Sequence, residues 1–297
     1  MTYKKIPNFP VKNRVFLAPM QEINDIAFRL LCKKAGCEVT YTGMIHPRTK
    51  QKIELIDNPV LQLFCTYSKG IKEFMKKHDK DVLAWDFNLG CPAKNAKKHC
   101  FGFFMNHKLE DIEDILKTMR ESTKKPLFAK LRKSKNTFKI LKLAEKYCDA
   151  ICIHPRTQPQ GYSGFADKEY ALNLKKQTAL PVIYSGDVTE KNYKELLEDF
   201  DYIMIGRRAI GNPEIFSITS GKNKKPLEKN KTFSDKKNTA FKDYLELAEK
   251  YNLPFRQLKL QAMNFTKGID NATDLREQII KIKTKKSLKG FVEKNMF

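Results

Sequence analysis

One thiol in this chain closes an apolar run at a tight turn. The run Val82-Leu83-Ala84-Trp85-Asp86-Phe87-Asn88 leads into Leu89-Gly90-Cys91-Pro92. A short apolar stretch that ends in glycine and proline reads as a buried strand and its exit. In a barrel of parallel strands, the C-terminal strand ends carry the reacting groups. A cysteine there is either a small core hydrophobe or a reacting thiol. The other strand ends bear on the choice.

Polar residues recur at those ends. Gln62 lies inside Val60-Leu61-Gln62-Leu63-Phe64, and Lys130 interrupts Leu127-Phe128-Ala129-Lys130-Leu131. His154 and Arg156 follow Ile151-Cys152-Ile153. Gly186-Asp187 and Gly206-Arg207 follow two further apolar runs. A buried lysine is costly unless it is paired. Each residue alone has a structural reading, but their convergence on one mouth is the pattern of a site. Gly186 and Gly206 allow a ligand close to the backbone, and Arg207 adds a charged donor. Loops after the last two strands of a barrel often bind phosphate. A phosphorylated cofactor such as FMN fits them, and a phosphate-bearing substrate fits equally.

The elements that must position these groups alternate strand and helix. Strands are expected at Val15–Ala18, Val39–Met44, Val60–Cys65, Val82–Asn88, Leu127–Leu131, Ala150–His154, Pro181–Tyr184 and Tyr202–Ile205. Helices are expected at about 24–35 with Asn24 as cap, and near 68–77, 109–122, 137–147 and 168–177. Another is expected up to 198, capped by Thr189. Eight such units predict an α/β fold, a (β/α)8 TIM barrel over residues 1–220. The first strand exits through Pro19-Met20-Gln21-Glu22, without the glycines of a dinucleotide turn. Lysine-rich 221–237 reads as a linker. Residues 238–297 read as a small C-terminal all-helical domain, its last helix over about 273–292.

The chain has 297 residues and a net charge of +23. Such an excess favours a polyanionic partner, with nucleic acid the leading class. Residues 221–297 carry 19 Lys and Arg against 9 Asp and Glu. Lys281, Lys283, Lys285, Lys286 and Lys289 cluster there, as a solvated face or a phosphate-backbone clamp. No apolar run is long enough to span a membrane, and no secretory leader is evident. Seven cysteines without a Cys-x-x-Cys pair argue against a disulfide framework or a metal site. A cytoplasmic monomer is expected.

The chain resembles the tRNA-dihydrouridine synthases, FMN-dependent barrel enzymes that reduce uridine in tRNA. The resemblance runs through Ala18-Pro19-Met20 with Asp25 and Phe28-Arg29, Gln62-Leu63, and Asn88-Leu89-Gly90-Cys91-Pro92-Ala93-Lys94. It continues through Lys130-Leu131-Arg132, His154-Pro155-Arg156-Thr157, Gly186-Asp187, Gly206-Arg207 and Gly211-Asn212-Pro213. It implies that Pro19, Met20 and Gln21 line the flavin through their backbone. Gln62 and Lys130 would touch its ring system. Ser185, Gly186, Asp187, Gly206 and Arg207 would hold its phosphate. His154 and Arg156 would stand by the flavin and the target base, with Asn88 among the substrate contacts. Cys91 would donate a proton, and the helical tail, with Arg276 and the lysine cluster, would grip tRNA. NADPH is the implied reductant. The chain departs from the family pattern at Gln21–Asn24, at Gly43-Met44 and at Ser185. In Cys100-Phe101-Gly102-Phe103-Phe104-Met105, the family usually has small residues.

The chemistry fits these groups. Uracil has a C5=C6 double bond conjugated to its C4 carbonyl. Hydride from reduced flavin can add at C6, and C5 must then take a proton. A thiol of ordinary acidity can supply that proton at neutral pH. Lys130 can stabilise the negative charge that develops. A target base in folded RNA must be extruded to react. Two other readings use the same residues. One is an FMN barrel oxidoreductase acting on a small molecule, as dihydroorotate dehydrogenase does. The other is a non-catalytic tRNA-binding relative.

Overall fold

The computed structural model describes residues 3–219 and 233–295. Seven parallel strands form one sheet: β1 (Val15–Leu17), β2 (Val60–Leu63), β3 (Ala84–Leu89), β4 (Leu127–Arg132), β5 (Ala150–His154), β6 (Val182–Tyr184) and β7 (Tyr202–Ile205). They lie in the order β1-β7-β6-β5-β4-β3-β2. The connecting helices are α1 (Ile26–Lys34), α2 (Ile71–His78), α3 (Lys94–Lys98), α4 (Leu109–Glu121), α5 (Thr137–Tyr147), α6 (Lys168–Lys176), α7 (Tyr193–Asp199) and α8 (Ile215–Thr219). Four more follow: α9 (Phe233–Lys250), α10 (Phe255–Phe265), α11 (Ala272–Lys281) and α12 (Lys285–Asn295).

The strand expected at 39–44 is not a continuous strand. It makes isolated parallel bridges, Phe16 with Val39 and Tyr41 with Val60, and so touches both edge strands. Side chains intrude on its ladder. The Gln62 N–H donates to the Thr42 hydroxyl at 3.1 Å, and the Asn24 amide donates to the Tyr41 carbonyl at 2.8 Å.

Strand parity separates two apolar cores. Phe16, Val60, Ala84, Phe128, Cys152, Ile183 and Met204 pack together on one face, with Tyr41 and Ile6. Leu17, Leu61, Trp85, Phe87, Ala129, Ile151 and Ile203 face the other way, toward the helices. Phe9 packs edge-on against Phe16 and Phe128, with centroids 5.8 and 5.5 Å apart.

Several expected boundaries move. Asp25, not Asn24, caps α1, accepting the Phe28 N–H at 3.0 Å. Asn24 is spent on the carbonyls of Ala18 and Tyr41. Thr189 does not cap α7; its N–H and hydroxyl go to Asn192. The last expected helix is two helices, α11 and α12. Lys259 donates to the carbonyls of Ile280 and Ile282 where α11 stops, satisfying groups that a longer helix would have used. Helix α9 begins at Phe233, inside the expected linker, and the rest of that linker, 221–232, lies outside the described residues.

Helices α9 and α10 dock on the loop after β1. The half-buried Asp25 carboxylate accepts from Gln257 at 2.7 Å, Gln261 at 2.9 Å and the Tyr244 hydroxyl at 3.3 Å. Gln257 and Gln261 also donate to the carbonyls of Glu22 and Ile23. At Gly211, with φ of 64°, a Cβ would stand 2.1 Å from the Asn264 carbonyl oxygen, so only glycine admits the end of α10 there.

Candidate active site

Register brings the polar strand residues together. Gln62 lies beside Asp86, Asn88 beside Lys130, and Lys130 beside Cys152. Asp86, Gln62 and Asn88 are buried and form a directed chain. Gln62 donates to Asp86 at 2.5 Å, Asn88 donates to Gln62 at 2.8 Å, and Asn88 accepts the N–H groups of Gly90 and Cys91 at 3.2 and 3.0 Å. Burial pushes the Asp86 carboxyl up to about 7, against the hydrogen bond from Gln62 and the charge of Lys130. Its second oxygen and the Tyr41 hydroxyl, both buried, have no hydrogen-bond partner among the described residues.

Cys91 stands half-buried at the exit of β3. Its carbonyl accepts the Phe103 N–H at 3.1 Å. A Cβ on Gly102, whose φ is 61°, would lie 3.0 Å from the Cys91 Cβ. Arg132, buried beside it, donates to the Gly90 carbonyl at 3.1 Å and to the Thr157 carbonyl at 3.1 Å. The turn that carries the thiol is therefore held from beneath and from both sides.

A cavity of about 300 Å³ opens at the same strand ends. Pro19, Met20, Lys130, His154, Ser185, Gly186, Asp187, Gly206 and Arg207 all line it. The Lys130 ammonium has no ion-pair partner among the described residues. Burial, then the charges of Lys130 and three arginines, push His154 down to about 2, so its imidazole is neutral near pH 7.

Asp187, in the left-handed region at φ of 48°, accepts from Arg156 at 2.7 Å and from Arg207 at 2.7 Å. Burial alone would push its pKa up, but the hydrogen bonds from Arg156 and the Ala166 N–H and the charges of Arg156 and Arg207 hold it below the usual carboxylate range. Arg207 also lies over the Tyr162 ring, 4.7 Å from its centroid. Asp187 and Tyr162 thus hold the Arg207 guanidinium at the cavity wall. Packing also requires glycine at 186. A Cβ there would stand 2.6 Å from Ala166.

The cavity fits an anionic, phosphorylated group. The backbone N–H groups of Gly186, Asp187, Gly206 and Arg207 have no acceptor among the described residues. Arg207 and Lys130 add positive charge, and aligned free N–H groups bind anions.

A model of the family described as "Dihydrouridine synthase (Dus)" matches residues 16–297. The chain belongs to the dihydrouridine synthase family. It is 29% identical over 235 residues to tRNA-dihydrouridine synthase B of Pasteurella multocida, covering 72% of this chain and 71% of that one. It is 31% identical over 235 residues to a probable tRNA-dihydrouridine synthase of Rickettsia bellii, covering 72% of each. Among solved structures, TcOYE with pHBA superposes with a TM-score of 0.51 at 9% identity, over 68% of this chain and 87% of that one. That likeness is one of fold.

Not every expected site residue of this synthase-family chain reaches the cavity. Gln21 lines a neighbouring cleft that shares Met20. Gln62 and Asn88 lie buried in the chain that leads to the Cys91 turn. Arg156 is 1% exposed and donates to Asp187 and the Gly164 carbonyl, so it braces the loop that carries Asp187. Arg276 is tied to Thr266 and Lys289 to Glu249, whereas Lys281, Lys283, Lys285 and Lys286 are exposed on α11, α12 and the turn between them. Lys267, just past α10, lines the cavity with Tyr162 and Thr189, none of them anticipated there; Arg208, next to Arg207 at the end of the last strand, lines it too. Asp86 was equally legible, since it shares the strand face of Asn88 at a spacing of two. No cluster of three metal-ligating side chains occurs among the described residues, and no described helix is long and apolar enough to cross a membrane.

Proposed function

We propose that this chain reduces the C5=C6 bond of uridine in tRNA, using FMN that NADPH re-reduces. The observation that supports it most is one cavity lined by Lys130, His154, Ser185, Gly186, Asp187, Gly206 and Arg207, at the strand ends from which Cys91 also exits. Ser185, Gly186, Asp187, Gly206 and Arg207 would hold the phosphate; Pro19, Met20 and Lys130 would flank the ring system. When bound and reduced, the flavin supplies hydride to C6 of the base. Cys91 delivers a proton from Sγ to C5. Lys130 stabilises negative charge in the cavity. Neutral His154 can donate a hydrogen bond without adding charge. The exposed lysines of α11 and α12, with Lys267, attract the RNA backbone. We read the bridged 39–45 segment as the eighth stave of a (β/α)8 barrel, and α9–α12 as the RNA-binding helical domain. We take the enzyme to act as a cytoplasmic monomer without a metal.

The test is incubation of the purified protein with unmodified tRNA, FMN and NADPH, with nucleosides analysed by mass spectrometry. Dihydrouridine at a defined position is expected. Bound flavin with turnover of a small unsaturated acid alone would favour the dihydroorotate dehydrogenase-like reading. Bound tRNA without flavin would favour a non-catalytic relative.

A further inference from the structure

A second cleft of about 360 Å³ opens beside the Cys91 turn; it shares no residue with the cavity above but shares His46 and Phe64 with the cleft that Gln21 lines. Its walls are aromatic: His46, Phe64, Tyr67, His99 and Phe101. The Phe64 and Phe101 rings lie 4.4 Å apart, and His46 and Phe64 lie 5.4 Å apart. Phe101 immediately precedes Gly102, the residue packed on the Cys91 Cβ. The cleft is therefore one residue removed from the contact that seats the thiol. Tyr67 is 44% exposed, and its hydroxyl accepts from Arg48 at 3.1 Å. Asn95 reaches the cleft from α3, and His99 caps that helix. The same helix exposes Lys94, Lys97 and Lys98. No acidic residue lines the cleft.

We infer that this cleft binds a nucleobase of the tRNA strand immediately next to the target uridine. The inference rests on the tRNA reading above. Extruding a uridine unstacks its neighbours. Unstacked bases are taken up on aromatic side chains, with their edges hydrogen-bonded and their phosphates neutralised by cations. The cleft offers each of these: ring faces from Tyr67 and Phe64, with buried Phe101 packed against Phe64 as the wall, polar edges from Asn95 and the histidines, and a rim of Arg48 and three lysines. It also gives the bulky Phe101 a use. Phe101 forms a wall of the cleft.

The test combines base removal with cleft mutation. Unmodified tRNAs carrying an abasic residue on the 5′ or the 3′ side of the target uridine are compared with intact tRNA. Equilibrium binding and the initial rate of dihydrouridine formation are both measured, for the wild type, Tyr67→Ala and Phe101→Ala. Removing one flanking base should weaken the wild type about tenfold. Each variant should lose about as much on intact tRNA, and less than roughly twofold more on the abasic tRNA. An abasic penalty of equal size in the wild type and in both variants, on either side, would overturn the inference. Phe101 is buried, so Phe101→Ala can fail by misfolding; exposed Tyr67 keeps the test decisive. If the wild type forms no dihydrouridine, the proposed function fails. The binding cycle, scanned through the single-stranded tRNA loops, then still decides on the cleft.

Discussion

The side-chain oxygen of Asn88 accepts the backbone N–H of Cys91 at 3.0 Å. Two more buried side chains stand behind this bond. Asn88 gives its own N–H to Gln62, and Gln62 gives its N–H to Asp86. The Asp86 oxygen that faces Gln62 accepts whether the carboxyl is ionised or carries its proton on the other oxygen, so Asp86 fixes the orientation of both amides. The thiol's turn is thereby aimed from inside the sheet.

Asn88→Ala removes the link that touches the turn. It leaves Gln62 and two N–H groups without their partner. Dihydrouridine formation should slow by about 10- to 100-fold, since small misplacements of reacting groups are expensive. Reduction of bound flavin by NADPH should change by less than about twofold. Stopped-flow measurement of the two half-reactions checks this. Equal loss in both would assign Asn88 to flavin binding instead.

Asp86 should make stability fall as pH rises. Its folded value, about 7, lies above the ordinary carboxyl value of 3.8. The folded chain therefore holds this proton more tightly than the unfolded chain does. The stabilisation is full below pH 3.8 and is lost as pH climbs to about 7. Urea unfolding from pH 4 to 8 should show this component in the wild type and lack it in Asp86→Asn. The variant keeps an oxygen for Gln62, so it should fold.

His154 contributes the opposite slope. Its folded value of about 2 lies below the ordinary 6.5, so folding excludes its proton. That stabilisation is full above pH 6.5 and drains away as pH falls toward 2. His154→Gln should flatten the acid limb of the unfolding profile between pH 6.5 and 4. An unchanged acid limb would mean that the imidazole charges freely in the folded chain.

Asp25 fastens α9 and α10 to the loop that follows β1. Asp25→Ala strips acceptors from Gln257, Gln261 and Tyr244 and uncaps α1. We expect a loss of about 2–4 kcal/mol in urea unfolding. Asp25→Asn keeps one acceptor oxygen and should cost roughly half as much. A neutral Asp25→Ala would show that apolar packing alone holds the two parts together.

Strand placement was legible because β-branched and apolar runs punctuated by Gly and Pro leave few alternatives. Lys130, His154 and the Gly186 and Gly206 loops were visible as polar interruptions at strand ends. The break in the strand expected at 39–44 was not, because the features that interrupt its ladder are tertiary. Thr42 bonds the Gln62 amide, and Asn24 takes the Tyr41 carbonyl. Asn24 and Asp25 are both competent helix caps, and only the folded loop shows which one is already engaged. The burial of Arg156 was hidden for a similar reason. Its partner Asp187 lies 31 residues away and is itself shared with Arg207. Lys267 enters the cavity from beyond α10, a contact that depends on how the helices dock.

The measurement that bears most directly on the central claim is a single turnover. Enzyme with pre-reduced flavin is mixed with unmodified tRNA, wild type beside Cys91→Ala, and dihydrouridine is counted against time. Rapid product is expected in the wild type and a loss of about 100-fold or more in the variant, with flavin and tRNA still bound. Equal rates in the two proteins would contradict it, and would remove Cys91 as the source of the proton.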